Sequence, residues 1–577
     1  MCYNTSKAQS AIEYLMTYGW MLLVVAIVGG AIFAMVGDQS IETVTGFDGQ
    51  SIAIDEVGMT SEGMSAVVRN QDSDSITINE IKLSDGDNEV IVFPGKSVSV
   101  ADTDTVRFPV FETDSGTNAI DATINFDSGN LEGMETSGTI TGNYFLDENF
   151  DPREWRTWQY NAQGTGYHPY TWGPASEPDI EWRVEDGGNY RSNPSLSNGT
   201  VYQSVRNETA DTGFYVNAYD AETGEEEWSY DMEGTGEEGT GISNYDNLEI
   251  TDDYVIGYRW NNTLFALDRE TGNLEWEEEG QYNAYEDGIL YITDGWQGEP
   301  SPINREGVGD WPDTITALEL DTGNELWSTE IEFEATGQRE NVANELEPEE
   351  EDGARWPYRD AGIRPTPVID DEKLYAVGRG NVFALDKENG ELEWNTEIEK
   401  GVVGRPAVGE NGLYITSDSG HDIDEDNTEL PEHYESNFWK LDKETGEIEW
   451  SHDTGERAWS GPGIYDGKVY AATRNATASP NEVNVNSFDK ESGEEEWSRT
   501  LDARDAYGAP LITEGTVYQS TQNHDDEDSN LFAFDAYTGE TIWEKSVGHN
   551  SRSTPTVGEG RLYFNSRDDG HHLYMLE

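Results

Sequence analysis

Leu264-Phe265-Ala266-Leu267-Asp268-Arg269-Glu270-Thr271-Gly272-Asn273-Leu274-Glu275-Trp276 is one copy of a pattern that occurs seven times along the chain. The others are VNAYDAETGEEEW ending at Trp228, ITALELDTGNELW at Trp327, VFALDKENGELEW at Trp394, FWKLDKETGEIEW at Trp450, VNSFDKESGEEEW at Trp497 and LFAFDAYTGETIW at Trp543. Each copy reads as two short strands joined by a turn: the Asp accepts local backbone hydrogen bonds and the Gly takes a conformation costly for other residues. The Trp that follows is placed to pack against a neighbouring unit. A spacing of 46 to 67 residues suits the blades of a propeller and is too long for most helical solenoids.

Working outward, a second pattern precedes most copies: NPSLSNGTVYQSV at Pro194, TPVIDDEKLYAVG at Pro367, RPAVGENGLYITS at Pro406, GPGIYDGKVYAAT at Pro462, APLITEGTVYQST at Pro510 and TPTVGEGRLYFNS at Pro555. It supplies two more strands, so each unit is a four-stranded blade. PDIEWRVEDGG carries an eighth equivalent Trp, Trp182, without the strand that should precede it, and the final HLYMLE looks like that strand without its Trp. Joining them completes an eighth blade and closes a ring over residues 149–577, removing two exposed sheet edges. Blade packing is therefore assigned to Trp182, Trp228, Trp276, Trp327, Trp394, Trp450, Trp497 and Trp543.

These repeats resemble the pyrroloquinoline-quinone-type propeller family over about 400 residues, and the entry segment WRTWQYNAQGTGYHPYTWGP resembles the strand and loop before its first blade. The resemblance raises a quinone-dependent dehydrogenase reading, which would imply an adjacent cysteine pair and a Ca²⁺ held beside a catalytic Asp. The chain has one cysteine, Cys2, and no such constellation can be placed residue by residue. No catalytic residue, cofactor or enzymatic activity is expected, because fold alone is weak evidence for chemistry. Asp418, Asp422, Asp424 and Asp426 alternate oxygen ligands in a Gly-containing stretch and are the weak candidates for Ca²⁺. A solvated acidic loop is the favoured account of them, since the spacing departs from that of an EF-hand.

At the other end, residues 9–37 read QSAIEYLMTYGWMLLVVAIVGGAIFAMVG, and from Tyr14 to Gly37 no residue is charged. As a helix those 24 residues reach about 36 Å, enough to cross a bilayer core. Lys7-Ala8-Gln9-Ser10-Ala11-Ile12-Glu13-Tyr14-Leu15 resembles the class III signal motif of archaeal pilin-like and archaellin-like proteins. That resemblance implies removal of a leader, residues 1–8, between Ala8 and Gln9 by a prepilin-type peptidase. It further implies assembly of the apolar helix into a homo-oligomeric helical filament. Gln9 and Glu13, whose charge needs a partner or water, and Gly19, Gly29 and Gly30, which permit close helix approach, are the expected assembly residues. A plain single-span anchor is the alternative.

Between these parts, residues 41–148 show six or more short alternating strands, among them SIAIDEVGM, MSAVVRN and SITINEIKL, and predict a β-sandwich spacer. With 117 acidic against 34 basic residues the formal charge is −83, which repels nucleic acid and reads as a solvated surface suited to high salt. Asn198, Asn207, Asn261 and Asn475 sit in Asn-x-Ser/Thr sequons and are candidate glycosylation sites. Insertions between Trp327 and Trp394 and before Trp450 offer Trp356, Tyr358 and Tyr434 as rim contacts.

The fold class expected is mainly β: a long N-terminal α-helix, a β-sandwich and an eight-bladed propeller. The function expected is a structural subunit of an archaeal type IV pilus-like surface filament, membrane-embedded before assembly. It would display the propeller to a surface protein or glycan ligand and depend on filament assembly machinery. The alternative is a single-span membrane-anchored extracellular binding or scaffold propeller, with the quinone-dependent dehydrogenase third.

Overall fold

The computed structural model describes residues within 43–144 and 156–577, apart from short stretches and four longer connections, 232–247, 294–312, 332–365 and 419–435. Every described helix or strand element is a β-strand. The expected fold class is corrected accordingly to all-β, without a long N-terminal α-helix among the described residues; the helix expected over 9–37 lies outside them. The chain forms two compact units, Met1–Phe150 and Asp151–Glu577.

In the first unit, a six-stranded sheet runs in the order Thr43–Thr45, Leu131–Tyr144, Gly116–Ser128, Ile76–Ser84, Glu89–Val92, with Lys96–Val98 pairing the strand Ile76–Ser84. A three-stranded sheet is made by Ile52–Met59, Met64–Asn70 and Thr103–Phe108. Alternation places Ile76, Ile78, Ile81 and Leu83 inside, and the shift of phase between Ile78 and Ile81 falls at a bulge between Ile78 and Glu80. Ile52, Val68 and Val106 of one sheet and Ile120, Ile124, Phe126 and Ile140 of the other are buried.

The second unit contains eight antiparallel sheets, which we number as blades: 1, residues 188–231; 2, 249–279; 3, 281–331; 4, 368–397; 5, 401–453; 6, 457–501; 7, 511–549; and 8, 556–576 with 180–185. Successive blades touch all the way round, mostly through their inner strands, and blade 1 touches blade 8, so the ring is closed. Blade 8 is built from both ends of the propeller sequence: Ile180–Glu185 pairs antiparallel with His572–Leu576, from Glu185 opposite His572 to Ile180 opposite Leu576. Apolar side chains are buried between neighbouring blades rather than around one centre, as with Val255, Phe265 and Leu267 of blade 2 against Tyr202 and Val216 of blade 1.

Each boundary is keyed by a tryptophan. The indole N–H of Trp182, Trp228, Trp327, Trp394, Trp450 and Trp497 donates to the carbonyl of Ala221, Arg269, Lys387, Lys443, Lys490 and Ala536, which follows the turn-starting Asp of the next blade. The distances run from 2.9 Å at Trp327 to 3.2 Å at Trp182 and Trp450. In the turns themselves, Asp489 Oδ1 accepts from the Ser492 amide and hydroxyl at 2.8 and 2.7 Å, and Gly493 stands at φ +70 with its Cα against Trp450. Two boundaries depart from this rule. Trp543 donates to Pro174 at 2.8 Å, because in blade 8 the third and fourth strands come from opposite ends of the propeller sequence and residues 174–179 occupy the place of their turn. The buried N–H of Trp276 meets no acceptor among the described residues; the next turn starts with Glu319 instead of Asp and sets the buried Leu320 behind it.

Lysines join blades 3 to 6 from one to the next. Lys387 meets Glu286 at 2.6 Å, Lys443 meets Asp370 at 2.9 Å, Lys373 meets Glu444 at 2.6 Å and Lys440 meets Glu491 at 2.7 Å. Burial opposes the charge on Lys440, whose side chain is 1% exposed, but Glu491 and Glu449 more than offset it and hold its pKa above the ordinary value.

Candidate functional site at the hub of the ring

In a blade of four consecutive strands, the connections between strands one and two and between three and four lie at one end, and the remainder lie at the other. The short turns such as Asp220–Gly224 and Asp466–Gly467 mark the first, or turn, end. All four long connections, 232–247, 294–312, 332–365 and 419–435, leave from the second, or loop, end.

At the turn end the chain crosses its own hub. Carbonyls of Arg156, Ala162, Gln163, Thr165 and Gly166 accept the amides of Ile250, Ile369, Val408, Ile464 and Ile512 at 2.9, 2.9, 2.9, 2.8 and 2.7 Å. The Trp172 carbonyl accepts the Gly560 amide at 2.8 Å, and the His168 amide donates back to Ile512 at 3.0 Å. The described residues of 156–172 thus form a strap bonded in order to the inner strands of blades 2, 4, 5, 6 and 7 and to the first turn of blade 8. Close approach requires glycine here: a Cβ on Gly164 would lie 2.6 Å from the Pro406 carbonyl oxygen, and one on Gly166 2.8 Å from that of Pro510. Asn161 folds the segment on itself, its Oδ1 accepting the Thr165 amide at 3.0 Å.

Two charged side chains are buried under the strap. Glu249, in the inner strand of blade 2, and Arg405, at the entry to blade 5, are 6% and 0% exposed. Burial pushes the Glu249 carboxyl up to about 7, against the lowering effects of a hydrogen bond from Thr157 and of the Arg405 and Arg156 charges. Burial also brings Arg405 down to about 10, with Glu249 opposing. Arg405 Nη2 donates to the carbonyls of Ala162 and Pro367 at 3.4 and 3.5 Å. Gln159 reaches across to donate from Nε2 to the Pro462 carbonyl at 2.8 Å, while its buried Oε1 accepts no hydrogen bond. Arg156 pairs with Asp252 at 2.7 Å, the ring of Tyr160 stacks 4.1 Å from His168, and Tyr167 donates to Glu514 at 2.7 Å. The arrangement is suited to holding backbone and charge at a buried centre.

Among the residues singled out from sequence, the eight tryptophans fall at blade boundaries as described above. Asn198 is exposed in a tight turn at φ 50, Asn207 lies in a strand, and Asn475 is half-buried at a strand end. Asn261 lies outside the described residues, as do Trp356, Tyr358 and Tyr434. Asp418 is placed in the strand Leu413–Asp418, opposite Gly401 and Ser436; Asp422, Asp424 and Asp426 lie outside the described residues. Among the described residues, no group of three or more His, Cys, Asp or Glu is arranged to hold a metal ion. Glu249, Arg405 and the lysine links are not singled out by the sequence patterns.

A closed eight-bladed ring with tryptophan-keyed boundaries and a hub strapped by its own leading segment defines a propeller of the quinoprotein type. The family described as outer membrane protein assembly factor BamB matches this chain over residues 168–288, 312–525 and 481–577, and the chain belongs to that family. The outer membrane protein assembly factor BamB of Yersinia pestis is 20% identical over 291 residues, which take in 48% of this chain and 62% of that protein, less than two-thirds of its length. The quinohemoprotein alcohol dehydrogenase of Comamonas testosteroni superposes with a TM-score of 0.53 at 15% identity, covering 74% of this chain and 81% of that one. A europium-containing methanol dehydrogenase gives 0.53 at 11%, covering 74% and 98%. At these identities the two structures share the fold alone.

These findings correct the reading drawn from residues 1–37. The family is that of the propeller, not of archaeal pilins, and the filament-subunit function gives way to the alternative of a binding or scaffold propeller. The homo-oligomeric filament, the prepilin-type peptidase and assembly machinery, and the extracellular filament location are corrected with it. The membrane-embedded stage falls with the filament reading on which it rested; among the described residues no helix is long and apolar enough to cross a membrane. Ala8, Gln9, Glu13, Gly19, Gly29 and Gly30, on which those expectations rested, lie outside the described residues. The physical reason is one of reach: a local motif of about thirty residues reports the chemistry of one segment, whereas the repeated blades carry the family signature over most of the chain.

Proposed function

We propose that this protein is a non-enzymatic scaffold whose propeller docks a protein partner at its loop end during assembly of envelope proteins. The observation that carries this reading is the asymmetry of the ring: the strap occupies the hub at the turn end, while every long connection leaves from the other. Membership of a family described as an assembly factor favours a protein partner, and a single cysteine in 577 residues leaves no adjacent pair of the kind the dehydrogenase resemblance implies. Photo-crosslinking in the native cell tests it, with the probe residue placed at Asp502 or Asn523 at the loop end, or at Asn198 or Glu222 at the turn end. A discrete protein adduct from the loop-end positions and none from the turn-end positions is expected. Equal adducts from both ends, or no protein adduct from any position, would overturn the proposal.

A further inference from the structure

Outside any named sheet, the strap is held to the blades by backbone bonds, one to each blade it meets except for two at Ile512 of blade 7, and by side-chain ties such as Gln159 to Pro462 and Tyr167 to Glu514. It is also strained. Gln159 and Tyr160, adjacent and neither of them glycine, stand at φ 58 and φ 74 in the left-handed region, and such conformations persist only where surrounding contacts impose them. Those contacts come from separate parts of the ring: Glu249 of blade 2 accepts from Thr157, Arg405 of blade 5 donates to Ala162, and the Pro462 carbonyl, at the entry to the first strand pair of blade 6, accepts from Gln159. Lifting the segment would release both strained residues and hydrate both buried charges without unpairing a single blade strand. We infer that residues 156–172 act as a latch on the hub, seated by Glu249 and Arg405, which opens as a unit from an otherwise intact ring and so controls access to the hub from the turn end. This is independent of which partner the loop end takes.

The direction in which pH drives the latch follows from the groups around Glu249. These are Thr157 and Arg156 on the strap, Arg405 from blade 5, and Tyr285 of blade 3, whose phenol is itself raised by burial and in part by Glu249. Latched, the Glu249 carboxyl titrates at about 7 against an ordinary 4.5. Below the ordinary value it is protonated in both states; between the two values only the latched state binds the proton; above about 7 it is ionised in both. The latch is therefore tightest in acid and loosens as pH rises, by on the order of 50-fold in its opening equilibrium between about pH 5 and 8.

Hydrogen exchange of the full chain at high salt reads this directly, because the amides of Ile250, Ile369, Val408, Ile464 and Ile512 are bonded to strap carbonyls. After correction for intrinsic exchange, peptides carrying these amides should lose about 50-fold in protection from pH 5 to pH 8, while second-strand amides such as those of Ala376 and Val469 hold theirs. In Glu249→Gln the loss should vanish, with blade amides reporting that the variant ring is folded. The inference is overturned if strap-bonded and blade amides exchange together at both pH values, or if the wild type and Glu249→Gln lose protection equally.

Discussion

At the scale of single residues, the tryptophans show how a repeated side chain acquires different energetic weight from its acceptor. Trp497 is buried and donates to Ala536 at 3.0 Å, whereas Trp276 occupies the same place in its blade with its N–H unsatisfied. Replacing either with Phe keeps an aromatic ring at the boundary, so the difference between the two variants isolates the hydrogen bond. Trp497→Phe should cost about 1 kcal/mol more than Trp276→Phe, since it removes one of the two donors to the buried Ala536 carbonyl and leaves only the Tyr470 hydroxyl, at 3.0 Å. Chemical denaturation of both variants checks this, and equal losses would contradict it. Glu319 explains the exception: one methylene longer than Asp, it accepts from Thr322 Oγ1 with its far oxygen and alters the turn behind Trp276.

At the scale of elements, the turn between third and fourth strands couples a backbone requirement to a packing one. Gly493 combines φ +70 with a Cβ position 2.7 Å from Trp450, while Gly467, in a turn of the same blade, has φ +80 and open space around it. Gly467→Ala should therefore cost about 1 kcal/mol for conformation alone. Gly493→Ala should cost about 1 to 3 kcal/mol beyond that through overpacking at the blade boundary, a difference that thermal unfolding of the two variants would resolve. These turns are the part of the molecule most legible in the sequence, because Asp, Thr or Ser, Gly and Trp write their chemistry within nine residues. The strap is not legible in that way. It binds through carbonyl oxygens, which every residue has, and only its glycines and Asn161 hint at tight turns. Glu249 is one of 117 acidic residues, and its one local signal is a charge set between Leu248 and Ile250 in an inner strand. Arg405 likewise shows only as a charge before Pro406 where other blades carry small or polar residues.

For the whole molecule, the distribution of charge sets the conditions under which the ring is stable. With a net charge of −83 there are acids on the outer strands of every blade, while Lys373, Lys387, Lys440 and Lys443 lie at blade boundaries, with Lys373 and Lys440 6% and 1% exposed. Salt shortens the reach of exposed repulsions from about 10 Å at 0.1 M to about 3 Å at 1 M and screens the buried links much less. The midpoint of thermal unfolding should therefore rise as KCl goes from 0.1 to 1 M; a midpoint that falls would mean that the surface attractions outweigh the repulsions. Closure of blade 8 has an effect on biosynthesis as well. Its outer strand, Ile180–Glu185, emerges from the ribosome before blades 1 to 7 but must wait for His572–Leu576, which follows them, so seven blades are translated while the eighth stands open-edged. Until then two sheet margins lack partners, and a net charge of −83 sets like-charge repulsion against their pairing between neighbouring chains.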